Sequence, residues 1–503
     1  MLLRAMLLIL MVVALGMSEA DAQNLIRVPV DVPTIQEAID LAIDGDTIQV
    51  DAGDYFENLV ISGKNIDLIG AGADVTSVDP VIGATVLVLA DGANGMIRGL
   101  SFQGGNAPVG LRGGGLRIVK SSPTVIDCSI FENASGSSGG GGVAVQGGAP
   151  SFLRCRITGN AAISGGAPGG GVYVVAGSIA MDECIVRSNI AVSGAGIYTG
   201  EGVTGIIRNT RFSENEVLTN AGANAYVSSS DLAFWNCLFA EGNASLSSLT
   251  GEGSGIYVCG ASASTSVDVM NCTFAFNDSI PGAQGVDVYA ALDNNDVVSL
   301  SNCILWGASG PPIFVDGTGS SLSVEGSIVQ GGFPGPGNCA DDPQFVTGPR
   351  GDYYLSQILA GEPFNSPALD MGTTPAADAC NGTPPYCMAA RTTRSDEQID
   401  EGAVDLGYHY QAIVFVRSDC NSDGLSDISD SVSALAVLFS SSLTPGCMDA
   451  CDTNDDGVFD IADPVAHLSA LFAGGPPPAA PYPDCGMDVT PDPLDCVVPT
   501  PCP

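Results

Sequence analysis

A repeat of about 28 residues runs through the middle of this chain, and it limits the possible folds more than any other feature. One element reads CSIFEN from Cys128, CRITGN from Cys155, CIVRSN from Cys184 and TRFSEN from Thr210. It continues as CLFAEGN from Cys237, CTFAFN from Cys272 and CILWG from Cys303, with steps of 27, 29, 26, 27, 35 and 31 residues. A second element lies between these: GGVAV from Gly141, GGVYV from Gly170, AGIYT from Ala195, NAYVS from Asn224, SGIYV from Ser254 and GVDVY from Gly285. Both are short and alternate apolar with polar residues, which is the period of a strand. No helical pattern separates them. Each period therefore holds at least two β-runs, and the fold expected is an all-β parallel solenoid whose coils stack about 4.8 Å apart. One coil cannot bury its apolar side alone, so neighbours stabilise one another in sequence.

The flanks differ from the repeat. Residues 33–43 read PTIQEAIDLAI: Thr34 caps a helix, Glu37 completes a capping box, and Ile35, Ala38, Ile39 and Ala42 form one apolar stripe. A helix here is expected to cap the open end of the solenoid and cover its edge. Further upstream, Arg4, the apolar run Met6 to Leu15 and Ala20-Asp21-Ala22 read as a signal peptide over residues 1–22. The organisation expected is a β-helix over 23–335, its C-terminal closure over 336–410, and a separate module over 411–503 with a Cys- and Pro-rich tail.

The chain carries a formal net charge of −40, with 56 acidic residues against 16 basic ones. Such a surface repels nucleic acid and anionic membranes and suits divalent cations. Export makes disulfides possible for the 16 cysteines. Cys128, Cys155, Cys184, Cys237, Cys272 and Cys303 share one repeat position and are expected to stack in the core as small hydrophobes. Cys380, Cys387, Cys420, Cys447, Cys451, Cys485, Cys496 and Cys502 lie in Pro/Gly/Asp-rich ground and are expected in disulfides of open pairing. Asn133, Asn160, Asn189, Asn215, Asn243 and Asn277 end the first element and are expected to form a stacked amide ladder. Tyr173, Tyr198, Tyr226, Tyr257 and Tyr289 recur in the second element, as a packing ladder or, less expected, a sugar-stacking stripe. Arg156 and Arg211 share a repeat position, and Lys120 is one of two lysines. With Tyr173 and Tyr198 they are the ligand contacts to examine, though solvated cations are the ordinary outcome.

The strongest chemical signal is in the last module. Asp419, Asn421, Asp423, Asp427 and Asp430 occupy positions 1, 3, 5, 9 and 12 of one loop, with the carbonyl of Leu425 at position 7 and Gly424 at the turn. Asp452, Asn454, Asp456, Val458, Asp460 and Asp463 repeat this 33 residues on. Oxygen donors at that spacing surround Ca²⁺, so two Ca²⁺ sites are expected. A helix should follow each loop, with Val432, Leu435, Ala436 and Phe439 sharing one face of the first and Val465, Leu468, Ser469 and Phe472 repeating it at the same offset in the second. Crowded carboxylates imply a module poorly folded without metal.

These motifs resemble known families. PTIQEAIDLAIDGDTIQVDAGDYFENLVISGKNIDLIGAG is similar to the opening coil of pectin-lyase-like β-helix proteins. The Cys-x-[IF]-x-x-Asn and Gly-[VI]-Tyr repeats resemble those of secreted bacterial right-handed parallel β-helix proteins, and DPQFV, GDYYL and SPALDMG resemble their closing segment. The two loops and helices over 417–475 resemble a type I dockerin, an EF-hand-like duplication. That resemblance implies cohesin binding through the helices and loop positions 10 and 11, here Ile428-Ser429 and Ile461-Ala462 rather than Ser-Thr pairs. Catalytic strings of pectin methylesterases and polygalacturonases are absent, and catalytic residues stay unassigned. The expected function is an extracellular or cell-surface β-helix that binds a polysaccharide or surface polymer and carries a Ca²⁺-dependent docking module. The alternatives are a lyase or glycoside hydrolase acting on an acidic polysaccharide, and a structural adhesion protein. An Arg or Lys base beside Asp182, Asp231 or Asp287 would favour catalysis.

Overall fold

The computed structural model describes residues 24–496 except 82, 245–251, 261–263, 293–295, 318–320, 377, 380–387, 389–390, 413, 440–444, 488–489, 491–493 and 495. The expected signal peptide, Cys380, Cys387 and Cys502 lie outside the described residues.

Each coil lays its strands into parallel sheets of ten, twelve and eleven strands, with a short fourth sheet of five. One coil runs Val172–Ala176 in the ten-stranded sheet, Ser178–Asp182 in the twelve-stranded sheet, Ile185–Arg187 in the eleven-stranded sheet and Ile190–Ala191 in the fourth. The expected parallel β-helix is the fold. The sequence pattern marked two of these runs clearly. The third, SIAMD and its counterparts, lacks a recurrent residue to mark it.

Register puts like on like. Ile130, Ile157, Val186, Phe212, Phe239, Phe274 and Leu305 form one inward column, each the Cα partner of the next. All are buried in a single core cluster. Phe212, Phe239 and Phe274 stack at 5.2 and 4.9 Å. Corners need a left-handed residue. Asp127, Arg154, Glu183, Asn209, Asn236, Asn271 and Asn302 supply it directly before the Cys/Thr position, at φ of 51–53°. Gly194, at φ 56°, enters the ten-stranded sheet where a Cβ would lie 2.7 Å from that of Tyr198.

The six repeat cysteines are buried free thiols. Each Sγ has two carbonyls within donor reach, one two residues back and one on the preceding coil, as Cys155 has Leu153 and Val125 at 3.4 Å. At the same position Thr210 and Ser327 replace Cys, their hydroxyls donating to the carbonyl two residues back, Arg208 O at 2.8 Å and Glu325 O at 2.9 Å.

The amide ladder forms with one correction. Asn133, Asn160, Asn189, Asn215, Asn224 and Asn277 each donate from Nδ2 to the next acceptor, and Asn277 donates to Asp287 Oδ1 at 2.8 Å. Asn243 is not a member. CLFAEGN places its Asn one residue later than the other coils do, so Gly242 occupies the ladder level. Asn224, from the neighbouring element, fills the gap.

Helix α1 (Ile35–Leu41) buries Ile35, Ala38 and Ile39. Thr34 Oγ1 accepts from Glu37 N at 3.2 Å as expected. The other first-turn N–H groups, of Ile35 and Gln36, donate to the Glu57 carboxylate at 2.9 and 2.8 Å. Helix and first coils are thus joined by a carboxylate at a helix N-terminus.

The chain forms two compact units. Residues through Gln344, with Ser366–Thr373 and Asp405–Tyr408, make the solenoid unit; Phe345–Asn365, Thr374–Val404 and His409 onward make the other. Within the solenoid unit, Gly407 N donates to Asn302 O and Tyr408 N to Thr273 Oγ1, both at 2.9 Å. In the second unit Tyr354 stacks on Tyr410 at 3.9 Å, and buried His409 meets buried Asp400 at 3.0 Å.

Candidate functional site

Two places hold the candidate residues. The first is the pair of loops in the second unit. Asp419 accepts from Asp423 N and Gly424 N at 3.0 Å. Asp423 Oδ1 accepts from Leu425 N at 2.9 Å, and Asp430 accepts from Asn421 N and Asp427 N at 3.1 and 2.8 Å. The second loop repeats the pattern. Asp452 accepts from Asp456 N and Gly457 N, Asp456 from Val458 N, and Asp463 from Asn454 N and Asp460 N. Asn421 and Asn454 each donate to the Asp two residues on. Asp427 and Asp460 sit just before helix α2 (Ile428–Phe439) and helix α3 (Ala462–Leu468) and accept first-turn N–H groups.

The six expected donors of each loop are therefore on one twelve-residue turn, all of them oxygen, a set that suits a hard divalent cation. Burial pushes the Asp430 carboxyl up to about 6, helped by repulsion from Asp419 and Asp423. Burial likewise pushes Asp463 up to about 6, with Asp452 beside it. Among the described residues no three His, Cys, Asp or Glu side chains converge on one point; the loop carboxylates face backbone N–H groups instead.

The ends of the apolar stripe on each helix face solvent. Val432, Phe439, Val465 and Phe472 are exposed, and so are Leu425, Ile428, Val458 and Ile461. Asp430, Ser431 and Ala434 of α2 and Asp463, Pro464 and His467 of α3 are buried instead. His467 lies between Ser426 Oγ and Ser431 Oγ at 3.0 and 2.9 Å. The four exposed apolar positions of one repeat recur 33 residues later in the other.

Cross-links tie the loops together. Cys420 is bonded to Cys451 and Cys447 to Cys496. Arg417, fully buried, donates to Asp452 O at 2.8 Å, Asp449 O at 3.2 Å and Ala480 O at 2.8 Å, pairs with Asp455 at 2.9 Å and lies over the Phe415 ring. Sequence reasoning missed Arg417; one buried Arg has no periodic signal.

The second place is the outer side of the solenoid. Tyr173, Tyr198, Tyr226, Tyr257, Tyr289 and Phe314 form one outer column of the ten-stranded sheet, with ring centroids 4.6–5.4 Å apart. From Tyr198 to Tyr289 the rings are stacked face to face. Their faces are filled by one another, the packing outcome, and edges and hydroxyls are what remain for a ligand. Burial, with the nearby Cys259 thiol, pushes Tyr198 up to about 12. Arg112, which the repeat gave no reason to single out, lies 5.6 Å from the Tyr173 ring centroid.

The arginines are paired across coils. Arg98 and Arg154 both meet Asp127, Arg187 meets Glu214, and exposed Arg156 meets Asp74. Arg156 and Arg211 share a column with Ile185 between them. Lys120 is exposed at φ 49°, just past the strand Leu116–Val119. Of the three carboxylates that would favour catalysis, Asp182 does lie beside an arginine: Arg208 Nε donates to it at 2.9 Å and Asn209 Nδ2 at 2.7 Å. Asp231 accepts from Ser266 N at 3.0 Å, and Asp287 is buried at the end of the amide ladder.

With this geometry in place, the chain can be set beside known proteins. The profile of the family described as "Right handed beta helix region" matches residues 154–329, within the solenoid. The solenoid is a right-handed parallel β-helix. Among solved structures, pectate lyase Pel9A is 12% identical over 78% of this chain and 98% of its own, with a TM-score of 0.46. An alginate lyase from Paenibacillus sp. str. FPU-7 is 13% identical over 59% of this chain and 99% of its own, TM-score 0.39. The catalytic domain of a GH87 α-1,3-glucanase is 14% identical over 64% of this chain and 70% of its own, TM-score 0.37. No curated protein matches the chain. Among the described residues no helix is long and apolar enough to cross a membrane.

Proposed function

We propose that this chain is an exported β-helix that binds a polysaccharide or cell-surface polymer and carries a Ca²⁺-dependent, dockerin-like docking module. The observation that carries the reading is the duplicated loop and helix, repeated hydrogen bond by hydrogen bond with its exposed apolar positions. Asp419, Asn421, Asp423, the Leu425 carbonyl, Asp427 and Asp430 would hold one Ca²⁺; Asp452, Asn454, Asp456, the Val458 carbonyl, Asp460 and Asp463 would hold the other. Eight exposed apolar side chains on a metal-bearing module suit a protein partner. The polymer half is supported by the tyrosine column, whose rings recur once per coil at 4.6–5.3 Å, a periodic feature for a periodic ligand. Export is supported by the N-terminal composition and by the disulfides.

A second reading, a lyase or glycoside hydrolase, is favoured by the Arg208–Asp182 pair, whose side chains are mostly buried on the outer side of adjacent coils. One experiment separates the two. Purified protein with Ca²⁺ is offered a panel of neutral and acidic polysaccharides while unsaturated-uronate absorbance and reducing ends are followed. Retention on a glycan with neither signal is the expected result. An absorbance gain makes it a lyase, and new reducing ends alone make it a hydrolase.

A further inference from the structure

The loops begin back to back. Cys420 is position 2 of the first loop, and Cys451 directly precedes position 1 of the second. Ser418 N donates to Ala450 O at 2.8 Å, and the Ser418 and Thr453 hydroxyls meet at 3.1 Å. Arg417 reaches from the approach to the first loop onto the Asp452 carbonyl and the Asp455 carboxylate of the second. The tail then closes on the same point. Phe415 and Gly486 exchange both backbone hydrogen bonds, at 2.9 and 3.0 Å, and Arg417 N donates to Pro481 O at 2.6 Å. The Cys447–Cys496 disulfide fastens the tail a second time. Inside each loop the carboxylates at positions 1 and 12 already accept at least two backbone N–H groups apiece, and Asp452 three.

We propose that this module keeps its fold without metal. The Cys420–Cys451 and Cys447–Cys496 disulfides and the buried Arg417 hub hold the two loops and helices, and a bound cation adjusts loops on a scaffold that already stands. The inference takes the loops to be the metal sites proposed above and reverses the expectation from their charge alone. Carboxylate crowding opposes folding only where nothing else holds the loop, and cross-links lower the entropy of the unfolded chain whether or not metal is present. The helices therefore stay folded in metal-poor surroundings, where a cation still sets the loop geometry that docking needs, and a reductant rather than a chelator dismantles the module.

The test is hydrogen exchange by mass spectrometry on the full chain, in Ca²⁺, in EDTA, and in EDTA with dithiothreitol. Each cleaved disulfide takes two hydrogens and leaves the reductant as its cyclic disulfide. Chelation alone should change the protection of Ile428–Phe439 and Ala462–Leu468 by less than about threefold, and reduction in EDTA should lower it on the order of a hundredfold. Loss of helix protection in EDTA while alkylation shows the disulfides intact would overturn the proposal. Arg417→Gln, which leaves both disulfides in place, should make the helices sensitive to EDTA; unchanged protection removes Arg417 from the hub. Calorimetry with CaCl₂ tests the metal reading separately. Its failure there leaves the comparison of oxidised and reduced protein in EDTA fully decisive.

Discussion

Asp287 ends the amide ladder as a fully buried carboxyl, and replacing it with Asn should remove a pH-dependent penalty from the solenoid. Asn277 Nδ2 donates to its Oδ1 at 2.8 Å, and its Oδ2 has no hydrogen-bond partner. Burial pushes its pKa from 3.8 up to about 7, against the lowering effect of the Asn277 bond. The folded chain thus holds this proton more tightly than the unfolded chain does. Its stabilising contribution is complete below pH 3.8 and fades as pH rises through 7, where the fold must bury a carboxylate. At about 1.4 kcal/mol per tenfold in proton affinity, the difference comes to about 4 kcal/mol. A solenoid of this size has an unfolding entropy on the order of 0.6 kcal/mol/K, so about 6 °C of melting temperature is at stake. The other carboxylates also respond to pH, so the measurement is a double difference: wild type and Asp287→Asn, each melted by circular dichroism at pH 4.5 and 8.5. About 1 kcal/mol is already lost at pH 4.5, so about 3 kcal/mol separates those pH values and the variant should gain about 5 °C on wild type. Parallel curves would refute the reasoning. They would mean that the row of amides, all turning their Nδ2 ends toward Asp287, stabilises the carboxylate as well as water does.

Three further outcomes are expected. Phe239→Ala, in the middle of the stacked inner phenylalanines, should destabilise the solenoid by about 3–5 kcal/mol in a denaturant titration, since the coils above and below cannot close the cavity. Asp463→Asn should remove one of two Ca²⁺ equivalents in calorimetry, or weaken it at least about tenfold, with the helices still protected from exchange. In native protein, Cys259 and Cys339, which are partly exposed, should alkylate before the six buried repeat thiols. Burial pushes Cys303 up to about 12. Early labelling of Cys128 or Cys303 would show that the corner opens.

The repeat made the solenoid legible because every coil solves the same problem with the same residues. Cys155, Ile157 and Asn160 recur one coil later as Cys184, Val186 and Asn189, so a single pattern states corner, core and ladder together. What the pattern omits was harder to read. The twelve-stranded sheet has no signature residue, and the one-residue offset at Asn243 becomes meaningful only once Asn224 is seen in its place. The tyrosine column was visible as a recurrence, but only ring geometry shows that the faces are filled. Ion pairing was beyond reach, because Arg156 meets Asp74 across 82 residues of sequence.

The sequence by itself determined the parallel solenoid, its buried cysteine column, its capping helix and the duplication of loop and helix in the last module. These depend on local period and spacing, which a chain carries along its length. Tertiary structure decided what faces outward and what is tied together. It turned the ends of the apolar stripe on each helix to solvent, placed Asp287 at the end of the ladder, and brought Cys420, Cys451 and Arg417 to one point. Such facts depend on which distant surfaces meet, and burial, unlike periodicity, is a property of the whole fold.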